Sequence, residues 1–170
     1  MTPHKIIGIF IGVLFIFTIA QRVSAGNMPG VFINEVVSHP MSGTKEWVEL
    51  RNGSANPIDL TGWKLTDLAD PQGTPSEQTL KVLSGSINPG EYLVFEVGST
   101  KLNNAGDSVA LYDDRDAEID RVTFGANVVG YTPDSRNPAL VGLSASRFGH
   151  IWITALASKS ATNTPPEWLK

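Results

Sequence analysis

A chain of 170 residues is the size of one ordinary domain, and a hydrophobic share of 41% is enough to furnish a packed core. Its 13 Lys and Arg stand against 17 Asp and Glu, a formal net charge of -4, which has the wrong sign for a general grip on a phosphate backbone. The absence of cysteine excludes disulfides, thiolate nucleophiles, thiolate zinc sites and iron–sulfur clusters.

The chain opens with Thr2-Pro3-His4-Lys5, a short positive segment, followed by an uncharged apolar run from Ile6 to Ala20. Val23-Ser24-Ala25 then presents small residues at the positions a signal peptidase reads. The pattern predicts a signal peptide over residues 1–25, cleaved after Ala25. The alternative is an uncleaved membrane anchor, since so short a run crosses a bilayer only by tilting or thinning it. Either form places the protein in the cell envelope or outside the cell. Residues 26–170 retain 11 basic groups against 17 acids, a net of -6. A chain of that size buries roughly two-thirds of its unfolded surface and can stand without disulfide staples.

Residues 26–30 read as a linker. From Val31 onward, β-branched and aromatic residues come in short bursts separated by Gly, Pro, Asn, Asp and Ser, the punctuation of an all-β domain. Strands are predicted at Val31 to Val37, stopped by His39-Pro40, and at Lys45 to Arg51. Others fall at Ile58 to Leu60 and at Gly62 to Asp67. Leu68 to Gln78, with Pro71, Gly73 and Pro75, reads as a surface loop. Thr79 to Leu83 and Glu91 to Val97 flank a turn at Asn88-Pro89-Gly90. Ser108 to Tyr112 is expected to pair with Glu118 to Phe124 around an acidic turn. Ala126 to Gly142 reads as an excursion over the surface, Ser144 to Phe148 as a last strand with Ile151-Trp152-Ile153 packed behind it. The domain is taken to end at residue 157, and residues 158–170 as a polar tail of low order.

Several segments, in one order, resemble the lamin-tail domain family, in the form found in exported prokaryotic proteins. Asn34 and Glu35 lie in a segment similar to its opening strand, and Glu46, Trp47, Glu49 and Asn52 in one similar to its second motif. Asp59-Leu60-Thr61-Gly62-Trp63-Lys64-Leu65-Thr66-Asp67 resembles its most recognisable stretch. Gly106-Asp107 resembles the tight turn that enters a later strand, and Ile119 to Gly125 the strand after that. Ser144-Ala145-Ser146-Arg147 stands for the small-residue-plus-arginine segment near the family's end. The resemblance implies an immunoglobulin-like β-sandwich used for binding or assembly, and it carries over no catalytic residue. In that family such modules accompany nucleases and other hydrolases, which suggests nucleic acid or polysaccharide as partner besides a protein or cell-surface component.

Within this frame Trp63 is expected to anchor the core, and Trp63→Ala to cost roughly 3–5 kcal/mol. Glu35, Glu46 and Glu49 invite an acid–base reading. Glu46 and Glu49, three apart on a strand, point to opposite faces, so only Glu35 can pair with one of them. Hydrogen bonding to backbone or arginine donors is the favoured reading. Asp113, Asp114, Asp116 and Glu118 could hold calcium, but a hairpin turn explains the same composition. His39 and His150, the histidines beyond the leader, lie too far apart in sequence to suggest zinc. Asn52-Gly53-Ser54 is a glycosylation sequon or a turn cap. Tyr131, Arg136, Arg147 and Trp152 form the candidate surface cluster for a ligand. No cofactor is expected. The expectation is an exported, non-enzymatic interaction module, with a nucleic-acid- or polysaccharide-binding accessory protein and a metal-dependent hydrolase as rivals.

Overall fold

The computed structural model describes residues 30–69, 76–104, 106–125, 141–165 and 167. These residues contain eleven strands and no α-helix. In chain order they are β1 (Val31–Val37), β2 (Glu46–Asn52), β3 (Ile58–Asp59), β4 (Lys64–Ala69), β5 (Ser76–Val82), β6 (Ser86–Ile87), β7 (Tyr92–Gly98), β8 (Gly106–Tyr112), β9 (Glu118–Gly125), β10 (Leu143–Phe148) and β11 (Ile151–Leu156).

A five-stranded sheet, β11-β10-β1-β2-β7, faces a four-stranded sheet, β5-β4-β8-β9, and the short pair β3-β6 stands beside them. All pairings are antiparallel. Ile33, Val36, Val48, Leu50 and Ala145 of the first sheet meet Leu65, Val109, Leu111, Val122 and Phe124 of the second. Leu60, Leu83 and Leu102, from the connections, and Ile87 of β6 complete this core. The architecture is an immunoglobulin-like β-sandwich, and alternation of side chains along each strand sorts apolar residues inward.

One irregularity decides what lies on the outside of the larger sheet. Ile33 opposes Leu50 while Glu35 opposes Glu49, so Asn34 is an extra residue, a bulge in β1. Val31, Ile33 and Val36 therefore face the core, and the bulge shifts the alternation so that Glu35 is turned to the other face with Asn34. The bulge also shortens the ladder to β10, whose register with β1 covers Glu35 and Val36. Beyond it, the Ile33 N–H donates to Asp120 Oδ2 at 2.8 Å and the Ile33 carbonyl accepts from Arg147 Nε at 2.8 Å. Arg147 Nη2 meets both oxygens of Asp120, at 2.8 and 2.6 Å. An ion pair from β9 to β10 thus crosses between the sheets and satisfies the backbone groups the bulge leaves over.

Two boundaries differ from the sequence expectation. The strands β4 and β5 run on to Ala69 and start from Ser76, inside the stretch read as loop, because their pairing continues through Leu68–Glu77 and Ala69–Ser76. Ile151 to Leu156 is a full edge strand rather than a short apolar patch behind the sheet. The predicted excursion from Ala126 to Gly142 falls mostly outside the described residues.

Trp63 follows Gly62, whose φ of +84° is open to glycine at little cost, and its ring packs half-buried against the core rather than inside it. Phe124, 1% exposed, holds the deeper position. Phe124→Ala is expected to cost about 3–5 kcal/mol and Trp63→Ala clearly less, in urea unfolding of the two variants beside the parent.

Candidate functional site

The outer face of the five-stranded sheet carries an unusual set of groups for a strand surface. Glu35 and Glu49, opposite one another on β1 and β2, are both fully buried. A carboxylate without water needs several donors, and these find them in β10 and in the segment after β11. Glu35 Oε1 accepts from Ser144 Oγ at 2.5 Å and Ser146 Oγ at 3.1 Å, which β10 presents at alternate positions. The Ser158 N–H reaches both Glu35 oxygens, at 3.0 and 3.1 Å, and Ser158 Oγ reaches Oε2 at 3.2 Å. Glu49 accepts from Asn34 Nδ2 at 2.8 Å and from the Ser160 N–H at 2.5 Å.

Asn163 closes the arrangement. Its amide nitrogen donates to the carbonyls of Asn34 and Arg147, at 3.2 and 2.9 Å, and its oxygen accepts from Ser158 Oγ at 2.8 Å. Lys159 Nζ stands 6.0 Å from the centre of the buried Trp47 ring, and the Tyr92 hydroxyl lies 3.2 Å from Thr162 Oγ1. The segment from Ser158 to Asn163, expected as a tail of low order, is therefore a strap bound across the sheet. The reason is chemical: two carboxylates removed from water recruit the nearest backbone donors.

Burial pushes the Glu49 carboxyl up to about 7, against the Ser160 and Asn34 hydrogen bonds, and the neighbouring Glu35 charge adds to the rise. Burial also raises Glu35, opposed by the Ser144, Ser158 and Ser146 donors. The pair is enclosed by its own fold, so the geometry supports the hydrogen-bonding reading over acid–base chemistry on a substrate.

Other marked acids and amides follow the same rule. Glu46, facing away from Glu49, accepts the Lys101 and Leu102 N–H groups at 2.7 and 3.0 Å and so ties down the β7–β8 connection. Asp107, fully buried after Gly106, accepts from the Asn103 and Ser108 N–H groups at 2.6 and 2.7 Å. Asn52, also fully buried, donates to the Asn56 and Ile87 carbonyls, while its oxygen accepts from Ser54. Both Asn52 hydrogens are thus spent on the turn, which removes the glycosylation reading of its sequon. Asp67 is buried at the end of the stretch that starts with Asp59.

The acidic run is a hairpin turn between β8 and β9. Asp113 Oδ1 accepts from the Arg115 and Ala117 N–H groups, each at 2.9 Å, and Asp116 adopts φ 61°. Asp116 meets Lys64 Nζ at 2.8 Å, Glu118 pairs with Arg121, and Asp114 packs beside Gly62. The carboxylates are parcelled out to separate partners, and among the described residues no three His, Asp or Glu side chains converge on one point.

The candidate ligand cluster is corrected in part. Tyr131 and Arg136 lie outside the described residues. Arg147 and Trp152 do meet, the guanidinium 4.6 Å from the ring centre, but Arg147 is only 9% exposed. It shares the inward parity of Ala145, and its charge is engaged by Asp120, so it is a core-side group and not a surface contact. His39 and His150 sit at opposite ends of the sheet, in the connections after β1 and after β10. An open hollow of about 430 Å³ beside the β1–β2 connection is lined by Ser38 to Glu46, Ser99 and Asn104.

The sequence profile of the Lamin Tail Domain family matches residues 24–126. The chain belongs to that family. Among curated proteins no sequence matches it. The lamin-tail match stops short of β10, β11 and the strap, although β10 and the strap supply all but one of the hydrogen bonds to the Glu35 and Glu49 oxygens, the exception coming from Asn34. Sequence reasoning missed Ser158, Ser160 and Asn163, and misplaced Arg147. The alternation Ser144-x-Ser146, two hydroxyls on one face of a strand, was the available signal.

The raised Glu49 carboxyl has a definite sign. The folded state holds its proton up to about pH 7 and the unfolded chain only to about 4.5, so its contribution to stability is present at low pH and is lost as pH rises between those values. Glu49→Gln is expected to gain on the parent by roughly 2 kcal/mol between pH 5 and pH 8. Urea unfolding at both pH values measures the difference, and a constant gap would remove the assignment.

Proposed function

We propose that this lamin-tail protein is exported and works at or beyond the cell surface as a non-enzymatic interaction or structural module. The observation that carries the reading is the employment of its marked polar residues. Glu35, Glu46, Glu49, Asn52, Asp107 and Asp120 each spend their acceptors or donors inside the fold, holding connections in place. What such a molecule offers is a rigid exterior: the ends of the sandwich, its strand edges and a mildly acidic surface. Immunoglobulin-like family membership supports the same reading, since the family is one of binding and assembly modules.

Export rests on the leader, in which Ile6 to Ala20 supplies the apolar run and Val23-Ser24-Ala25 the small residues of a cleavage site. The net charge after the leader favours a protein or uncharged surface polymer over nucleic acid as partner. Expression of the full chain in a bacterial host, followed by fractionation and N-terminal sequencing, tests the proposal. The expected product lies outside the cytoplasm and begins at Gly26. A folded cytoplasmic product that keeps its first residues would contradict it.

A further inference from the structure

Among the described residues the two sheets end in four edge strands, and three of them carry the usual protections against pairing with another chain. The β7 strand has a bulge at Val97 and the charged Glu96, which meets Lys45 at 3.1 Å. The β5 strand has a bulge at Leu80 and carries the exposed Lys81. The β9 strand has a bulge at Ile119 and carries Glu118, Asp120 and Arg121. By contrast β11, Ile151-Trp152-Ile153-Thr154-Ala155-Leu156, has no charge, no proline and an unbroken register with β10. It ends in Leu156, 77% exposed.

We infer that β11 pairs antiparallel with β11 of a second copy of this chain, joining two five-stranded sheets across a twofold axis. The hairpin fixes which backbone groups are offered. Phe148 and Ile151 close a two-residue turn, Gly149-His150, in which Gly149 takes φ +62°. Hydrogen-bonded pairs then recur at every second residue, so Ile153 and Ala155 bond inward to β10. The amide and carbonyl groups of Trp152, Thr154 and Leu156 point outward, and among the described residues no strand lies beyond them.

For an antiparallel partner of identical sequence, the register with the greatest overlap that matches these outward groups is centred on Thr154. It sets Thr154 against Thr154 of the copy, and Trp152 against Leu156. The exposed leucine then covers the half-buried indole, a favourable cross-strand pair. The pair forms twice, once on each side of the axis, and the contact contains no charge to desolvate or repel. This self-complementarity, an exposed leucine matched to a half-buried indole by the twofold itself, points to a second copy as the occupant. The inference goes beyond the proposed function and does not depend on where the protein works.

The absence of cysteine makes the test direct. Thr154→Cys in the full chain is expected to give a disulfide-linked dimer under an added oxidant, because facing residues of such a pair lie within disulfide reach. Ser86→Cys, exposed on a different part of the molecule, should give none. In sedimentation the parent should pass from monomer to dimer with concentration. Thr154→Lys, which opposes two ammonium groups at the axis, should weaken association on the order of 100-fold. Leu156→Pro, which removes an outward amide, should weaken it without lowering the melting temperature. A parent that stays monomeric with no Thr154→Cys crosslink overturns the inference. So does a dimer unaffected by Thr154→Lys and Leu156→Pro, or an open-ended assembly that never closes at two.

Discussion

A carboxylate shut away from water has to be surrounded by donors, and in this sandwich that requirement determines where the loose ends of the chain go. Glu35 and Glu49 sit side by side on the two central strands of the larger sheet, on the face opposite the apolar core. Serines from β10 and backbone amides from the strap complete them. Glu46 does the same for the β7–β8 connection and Asp107 for the turn before β8. Hydrophobic burial assembles the two sheets, and buried acceptors then choose one path for the connections among many compact ones. The result is a molecule whose polar signature is consumed in its own architecture.

The bulge at Asn34 links the two halves of this account. It lets one short strand place Ile33 and Val36 in the core yet direct both Asn34 and Glu35 outward. It also leaves Ile33 beyond the reach of β10, and the Arg147–Asp120 pair takes up its N–H and C=O. Removing two charges from water costs free energy that their attraction only partly restores, so such a pair is better understood as setting how the sheets align than as a large source of stability. The energetic weight stays with Phe124, Leu65, Leu111 and their neighbours across the sandwich.

The strands were legible because alternation and turn residues act locally. The β8–β9 hairpin, the stop after Val37 and the inward Leu and Val residues follow from a few neighbours each. The bulge was not legible, since one extra residue leaves composition unchanged while reversing which side chains face the core. Arg147, read as a surface cation, is enclosed because the Ile33 carbonyl and Asp120, distant in sequence, draw its guanidinium between the sheets. The strap was hidden by its polar composition: Ser158, Ser160 and Asn163 look like a solvated tail until the buried acids that need them are in place. Trp63 carried the strongest family signal and a smaller share of the core than its size suggested.

Amide hydrogen exchange at Ser158 and Ser160 tests most directly whether the buried acids hold the strap. Both amides should be protected in the parent protein. Glu35→Ala should release Ser158 and Glu49→Ala should release Ser160, while amides of β1, β2 and β8 stay slow. Exchange of Ser158 and Ser160 at the rate of an unstructured peptide in the parent, or protection that survives both substitutions, would contradict the account.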